Sequence, residues 1–295
     1  MQVLAFPESF SKAEQLADLI RCPVAKVALH HFPDGESLVQ LPQNLSEKVI
    51  VYQSLDRPNS KLIELLLLSE AARNQGVKYL TLVAPYLCYM RQDKAFLAGQ
   101  AISQQIIGKF LAGLFNALIT VDPHLHRVHN LQQAIPADQA LALSASELIG
   151  QFIMTNNPQA LLIGPDGESE QWVREVARPG DLDFVVAEKI RHGDTAVEIT
   201  LPDYQYNNRD AILIDDIASS GHTLAAATKI LFEKGVNAVS VLVTHALFMN
   251  DALGIIRAAG VDQIWSTDSV EHSSNVISLA PLIAEGITRL NQEEI

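Results

Sequence analysis

An apolar run that ends in two adjacent acids constrains this chain more than any other feature. Ala211-Ile212-Leu213-Ile214 reads as a buried strand, and Asp215 and Asp216 follow it directly. Ile217-Ala218-Ser219-Ser220-Gly221-His222-Thr223 then leads into an amphipathic stretch from Leu224 to Lys234. Strand, polar loop and helix in this order belong to an α/β fold, where ligands collect at the carboxyl ends of parallel strands. Capping of the helix by Ser219 or Ser220 explains the serines, but not two consecutive acids at the end of a buried strand.

The loop carries a more specific chemistry. Ser219, Ser220, Gly221 and Thr223 offer hydroxyls, backbone N–H groups and a positive helix start to a phosphate. Asp215 and Asp216 repel that same phosphate and suit neutral hydroxyls or a metal ion. A ligand with a phosphate at one end and vicinal hydroxyls at the other satisfies both parts, and ribose 5-phosphate is such a ligand.

The rest of the chain repeats the alternation. Apolar runs at 3–6, 49–52, 80–84, 117–121, 161–164, 184–187, 211–214 and 238–243 read as strands. Amphipathic stretches at 61–74, 101–114, 171–177, 224–234 and 253–259 read as helices. Strands alternating with helices imply parallel sheets flanked by helices. Leu82-Val83-Ala84-Pro85 resembles Leu162-Ile163-Gly164-Pro165, and Leu118-Ile119-Thr120-Val121-Asp122 resembles Ile212-Leu213-Ile214-Asp215. The expectation is two similar α/β domains, 1–150 and 151–295, with a seam near Thr155-Asn156-Asn157-Pro158.

Composition narrows the partners. The 295 residues include 34 acidic and 21 basic ones, a formal net charge of -13. Such a surface repels nucleic acid and anionic lipid, and no run of five Lys or Arg offsets it. Neither partner is expected. Cys22 and Cys88 show no metal spacing and no disulfide framework. Residues 1–10 contain Glu8 and no basic segment, and the apolar run Leu65–Leu68 is far too short to span a bilayer. A cytoplasmic location follows as an expectation.

Read together with several shorter elements, the 211–223 segment resembles the sugar-phosphate signature of type I phosphoribosyltransferases. His31-Phe32-Pro33-Asp34-Gly35-Glu36 resembles the Phe-x-Asp-Gly-Glu element of ribose-phosphate pyrophosphokinases. Tyr89-Met90-Arg91-Gln92-Asp93-Lys94 is similar to that family's Arg-Gln-Asp segment, and Val121-Asp122-Pro123-His124 to its Asp-x-His element. Gly164-Pro165-Asp166-Gly167 matches its Pro-Asp-x-Gly turn, and Glu188-Lys189-Ile190-Arg191 the segment with its catalytic Lys and Arg. Each element is weakly specific; their joint order from residue 32 to 223 is highly specific. The short segment His192-Gly193-Asp194-Thr195 is closest in pattern to the compact archaeal-type members.

The resemblance implies two phosphoribosyltransferase-type domains and diphosphoryl transfer from ATP to the anomeric hydroxyl of ribose 5-phosphate. Phe32, Asp34, Gly35, Glu36, Arg91, Gln92 and Asp93 would bind the nucleotide. Asp215, Asp216, Ser219, Ser220, Gly221, His222 and Thr223 would bind ribose 5-phosphate. Lys189 and Arg191 would be the catalytic cations, with Gly193 in a closing loop, and Mg2+ would lie near His124 and Asp166. The family places Phe32–Glu36 at a neighbouring subunit's site, so a homo-oligomer is expected. Two rival functions remain: a non-catalytic regulatory homologue and a base phosphoribosyltransferase.

Other readings compete at single residues. Asp34-Gly35 suits a plain turn, and Arg91–Lys94 a solvated loop. Asp122, His124, His126 and His129 have the makings of a zinc site. Trp172 and Trp265 read as core aromatics. His222 stands where the family commonly has Gly; if that position needs positive φ, the side chain is strained there. Glu168, Ser169 and Glu170 make the turn after Asp166 more acidic than a pyrophosphate cradle, and suit either solvent or a metal.

Overall fold

The computed structural model describes residues 1–95, 97–125, 130–192 and 196–293, with the backbone alone described at 168, 189–192, 196–198 and 293. The chain divides into two compact units, one of Met1–Leu143 with Leu279–Ile295 and one of Ser144–Ser278.

The first unit begins with β1 (Gln2–Ala5), α1 (Phe10–Leu19) and β2 (Val24–Lys26). A hairpin follows, β3 (Ala28–His31) and β4 (Ser37–Gln40). Then come β5 (Lys48–Tyr52), α2 (Pro58–Asn74), β6 (Tyr79–Val83), α3 (Ser103–Leu114), β7 (Ala117–Val121), the short α4 (Leu131–Ala134) and β8 (Gln139–Leu143). The sheet is parallel, in the order β2-β1-β5-β6-β7-β8. Its central strands are buried on both faces, β7 along its whole length, so they read as unbroken apolar runs.

The second unit repeats that plan. It contains α5 (Ser146–Asn156), β9 (Leu161–Gly164), α6 (Glu170–Ala177), β10 (Phe184–Val186) and a hairpin of β11 (Glu188–His192) and β12 (Ala196–Thr200). After the hairpin come β13 (Asp210–Ala218), α7 (His222–Glu233), β14 (Ala238–Ala246), α8 (Ala252–Ala258), β15 (Ile264–Thr267) and β16 (Asn275–Ile277). The parallel order is β10-β9-β13-β14-β15-β16, the order of the first sheet with each strand advanced by eight. Leu161, Ile163, Leu213, Val241 and Val243 are fully buried in its core, each contributing about 2 kcal/mol.

The expected pair of similar α/β domains is therefore present, but the fragments that suggested it are not counterparts. Residues 82–83 end β6, whose counterpart is β14, whereas 162–164 lie in β9. The true counterpart of β9 is β1; each is followed by a Pro and an acid, Pro7-Glu8 or Pro165-Asp166, and by a short 3-10 helix, Pro7–Ser9 or Gly167–Ser169. Fully buried parallel strands are alike in composition, so local similarity misaligned the repeat.

The units also depart from 1–150 and 151–295. Helix α5 follows β8 in the chain but packs on α6, and α9 (Ala280–Glu293) follows β16 but packs on α1 and β8. Burial explains both assignments. Phe152 of α5 meets Trp265 edge to face at 5.4 Å, while Ile283 and Ile287 of α9 are buried in the first unit.

Candidate active site

In the second unit, the sequence-expected residues leave three neighbouring strands at one edge. Because β10, β9 and β13 are adjacent and parallel, their carboxyl ends deliver the β11–β12 hairpin, the Asp166 turn and the Asp215–Thr223 segment to the same side of the sheet. Lys189 and Arg191 lie on β11, opposite Ile199 and Val197 of β12. Gly193, expected in a closing loop, lies outside the described residues.

Strand β13 runs further than expected. It continues to Ala218 rather than stopping at Ile214, so Asp215 and Asp216 belong to the strand. Asp215 is opposite Val243 of β14 in the register, and its carboxylate accepts the Asp216 N–H at 3.0 Å. Burial of the Asp215 carboxyl, then the neighbouring charges of Asp216 and Asp166, raise it well above its ordinary value. The residue as a whole keeps partial exposure; the enclosed carboxyl decides its protonation. Asp166, Asp215 and Asp216 are thus brought close enough to repel one another.

The loop before α7 is shaped by Gly221. It takes φ +76° at the residue before α7, and the first intrahelical bond, Ala225 N–H to the Gly221 carbonyl, is 2.9 Å. A Cβ at Gly221 would lie 2.9 Å from the Ala252 carbonyl oxygen and 3.0 Å from the Ile256 side chain. The cap position therefore belongs to Gly221, not to Ser219 or Ser220. His222 is the first helical residue, exposed and with ordinary φ, so the strain considered for it does not arise. Ser220 is exposed and Thr223 half-buried, while the Ser219 carbonyl accepts from Met249 N–H at 2.9 Å.

The Asp166 turn is rigid for reasons the sequence did not disclose. Ser169, buried, donates its hydroxyl to the Asp166 carbonyl at 2.6 Å, and a Cβ on Gly164 would strike that hydroxyl oxygen at 2.4 Å. Glu170 pairs with Arg174 at 2.7 Å on the exposed face of α6. Of the acids after Asp166, Glu170 thus faces solvent, while Ser169 closes the turn.

In the first unit, the Phe32–Glu36 turn joins β3 to β4. The Phe32 carbonyl accepts from Gly35 N–H at 2.9 Å, and Phe32 N–H donates to the Glu36 carbonyl at 2.8 Å. The Asp34 carboxylate accepts the Glu36 N–H at 3.1 Å, and Gly35 takes φ +93°. Phe32, 40% exposed, is left with an aromatic face available. Arg91, Gln92 and Asp93 follow β6, and His124 follows β7, so both segments leave adjacent strands at one edge. Arg91 is exposed and Asp93 half-buried. The Gln92 side chain accepts from Ser103, and its carbonyl accepts Gln104 N–H at 3.1 Å, tying this loop to the start of α3.

The first unit has a counterpart of the β13–α7 loop between β5 and α2, and Lys61 of α2 is bonded across it. Lys61 donates to the Ser54 carbonyl and to Asp56, each at 2.8 Å. Fully buried Gln53 donates to Glu8 at 2.7 Å and accepts from Ser9 at 3.2 Å. Sequence reading missed this network; a Gln directly after an apolar strand was its one signal. Among the described residues no three His, Cys, Asp or Glu side chains form a ready cation site. His126 and His129 of the considered zinc set lie outside the described residues. Among the described residues no helix is long and apolar enough to cross a membrane.

Two sheets of one strand order, the second bearing paired acids beside a glycine-shaped helix start, define a double phosphoribosyltransferase-type fold. Residues 1–114 match the family model for the N-terminal domain of ribose phosphate pyrophosphokinase, and residues 132–252 match that for the phosphoribosyl transferase domain. Ribose-phosphate pyrophosphokinase from Methanopyrus kandleri is 30% identical over 295 residues, 99% of this chain and 100% of that protein. The protein of that name from Methanothermobacter thermautotrophicus is 32% identical over 92% of this chain and 95% of its own. The one from Rhizobium meliloti is 28% identical over 100% and 98%. A crystal structure of phosphoribosylpyrophosphate synthetase from Mycobacterium smegmatis shares the fold, with a TM-score of 0.85 at 21% identity over 99% of each chain. The chain belongs to the ribose-phosphate pyrophosphokinase family of enzymes.

Proposed function

We propose that the chain transfers the β,γ-diphosphoryl group of ATP to the anomeric hydroxyl of ribose 5-phosphate, giving phosphoribosyl pyrophosphate and AMP. One observation carries this reading: the two halves share a plan, yet the paired acids and the glycine-shaped helix start stand in the second half while Lys61 is bonded across the matching loop of the first. A base phosphoribosyltransferase needs only one such half. Here the first half is given over to the Phe32–Glu36, Arg91–Asp93 and His124 elements, which we assign to the nucleotide.

The sugar phosphate accepts hydrogen bonds from Ser219, Ser220, Thr223 and the backbone at the start of α7, with His222 beside them. Asp215 and Asp216 hold ribose hydroxyls or an ion. Lys189 and Arg191 offset the charge of the transferring diphosphoryl group. Such chemistry needs positioning and charge neutralisation rather than a protein nucleophile. Cys88, buried and pushed up to about 12 by desolvation, is no candidate for one.

Mg2+ fits the donor chemistry. It is held by one or two carboxylates together with substrate phosphates rather than by an all-protein cage, and Asp166 and Asp215 are such carboxylates. When bound, it would neutralise phosphate oxygens. A homo-oligomer and a cytoplasmic location complete the proposal.

The test is direct. Ribose 5-phosphate, Mg2+ and ATP are expected to give AMP and phosphoribosyl pyrophosphate in equal amounts. Consumption of phosphoribosyl pyrophosphate with a free base would favour a base phosphoribosyltransferase, and turnover of neither would favour a regulatory homologue.

A further inference from the structure

The β3–β4 hairpin is mostly exposed on β3 and half exposed on β4; its Leu29–Val39 pair packs against the core of the first unit, but a two-stranded ladder is marginal by itself. A buried carboxyl group fastens it. Glu64 lies on α2 within the apolar run Leu62–Leu68 and is 2% exposed. Its Oε1 accepts from His31 Nε2 at 2.8 Å and from the Ser37 hydroxyl at 3.2 Å. His31 and Ser37 are cross-strand partners, the last rung of the ladder before the turn. The next bond outward is the one that closes the turn, Phe32 N–H to the Glu36 carbonyl. One buried oxygen thus grips both strands at the foot of the Phe32–Glu36 turn.

Stability alone does not call for a carboxyl group here. An apolar residue would continue the Leu62–Leu68 run, and burying a carboxyl is costly unless it is hydrogen-bonded. What the carboxyl adds is direction: two hydrogen bonds from opposite strands fix the orientation of the hairpin on α2, where apolar packing tolerates sliding. We propose that Glu64 is a positioning residue, which acts through His31 and Ser37 to hold the Phe32–Glu36 turn in its nucleotide-binding orientation. This rests on the reading of that turn as a nucleotide element.

Steady-state kinetics of the full chain test it. Glu64→Leu is expected to raise KM for ATP about tenfold, with kcat and KM for ribose 5-phosphate changed less than about twofold. His31→Leu, at an exposed position, and Ser37→Ala, at a half-buried one, test the same clamp if Glu64→Leu fails to fold. His31→Arg keeps an N–H donor for Glu64 and is expected to retain the wild-type KM. Hydrogen exchange is expected to quicken across residues 28–40 and not elsewhere. Parallel damage to kcat and both KM values, or no change in any, would overturn the proposal. Phe32→Ala separates the layers. If it leaves KM for ATP unchanged, the nucleotide reading falls and the clamp with it. If it raises that KM while the clamp variants do not, the clamp alone falls.

Discussion

Gly221 and Arg57 hold the same place in the two halves: each adopts positive φ, +76° and +49°, immediately before the helix that follows β13 or β5. The conformation is inherent to the plan, and the two halves meet it differently. Gly221 has no Cβ and no room for one, whereas Arg57 bears a strain of roughly 1–2 kcal/mol. Gly221→Ala is therefore expected to lose about 2 kcal/mol in denaturant unfolding and to lose ribose 5-phosphate binding in calorimetry. Arg57→Gly is expected to gain at most about 1 kcal/mol.

The Asp215 carboxyl is enclosed where its charge is disfavoured. Its pKa is raised by burial and by Asp216 and Asp166. A group raised in the fold lends stability below its unfolded value and withdraws it as pH climbs through its folded value. Asp215→Asn removes that penalty. The unliganded variant is expected to melt about 3 °C higher near neutral pH, with the gap over wild type widening as pH rises, while turnover is lost. Thermal unfolding across a pH series checks the sign.

His222 is an ordinary first residue of α7. His222→Gly is expected to lower stability by about 0.5–1 kcal/mol, rather than relieve strain, and to leave KM for ribose 5-phosphate within about threefold. Denaturant unfolding and substrate titration read the two effects.

The parts legible in the sequence are those where one pattern dominates. Residues 117–121 and 161–164 are strands at the expected bounds, because fully buried strands read as apolar runs. Asp215 and Asp216 stood out because acids seldom follow such a run. Both hairpins were missed: β3 and β4 have four residues each, with their apolar residues adjacent (Ala28-Leu29, Leu38-Val39) rather than alternating, so no period-2 signal survives. Helix α1 buries only Ala13, Leu16 and Ala17, too narrow a stripe to recognise. Nor could Glu64 be read from the chain, since its partners lie on β3 and β4, about thirty residues away. The placement of α5 and α9 depends on burial partners distant in sequence, which no local pattern encodes.

Lys61 braces the loop between β5 and α2. Its side chain is 12% exposed and paired with Asp56. Lys61→Met leaves Asp56 and the Ser54 carbonyl without that donor and is expected to cost about 2 kcal/mol, read as a lower denaturation midpoint without change in slope.

Lys189 and Arg191 sit on one strand of the hairpin beyond β10. Each Ala variant is expected to cut turnover about 10³-fold while ATP affinity and the melting temperature hold. A Lys189→Ala enzyme that kept about a third of wild-type turnover would remove the residue from the chemical step, since transition-state cations are worth far more.

The fate of the phosphorus label tests the central claim most directly. With ATP labelled at the γ position, diphosphoryl transfer is expected to carry the label into the sugar product, with AMP as the only nucleotide formed. Label in the sugar accompanied by ADP would mean transfer of a single phosphoryl group, and would contradict the assignment of this chain's reaction.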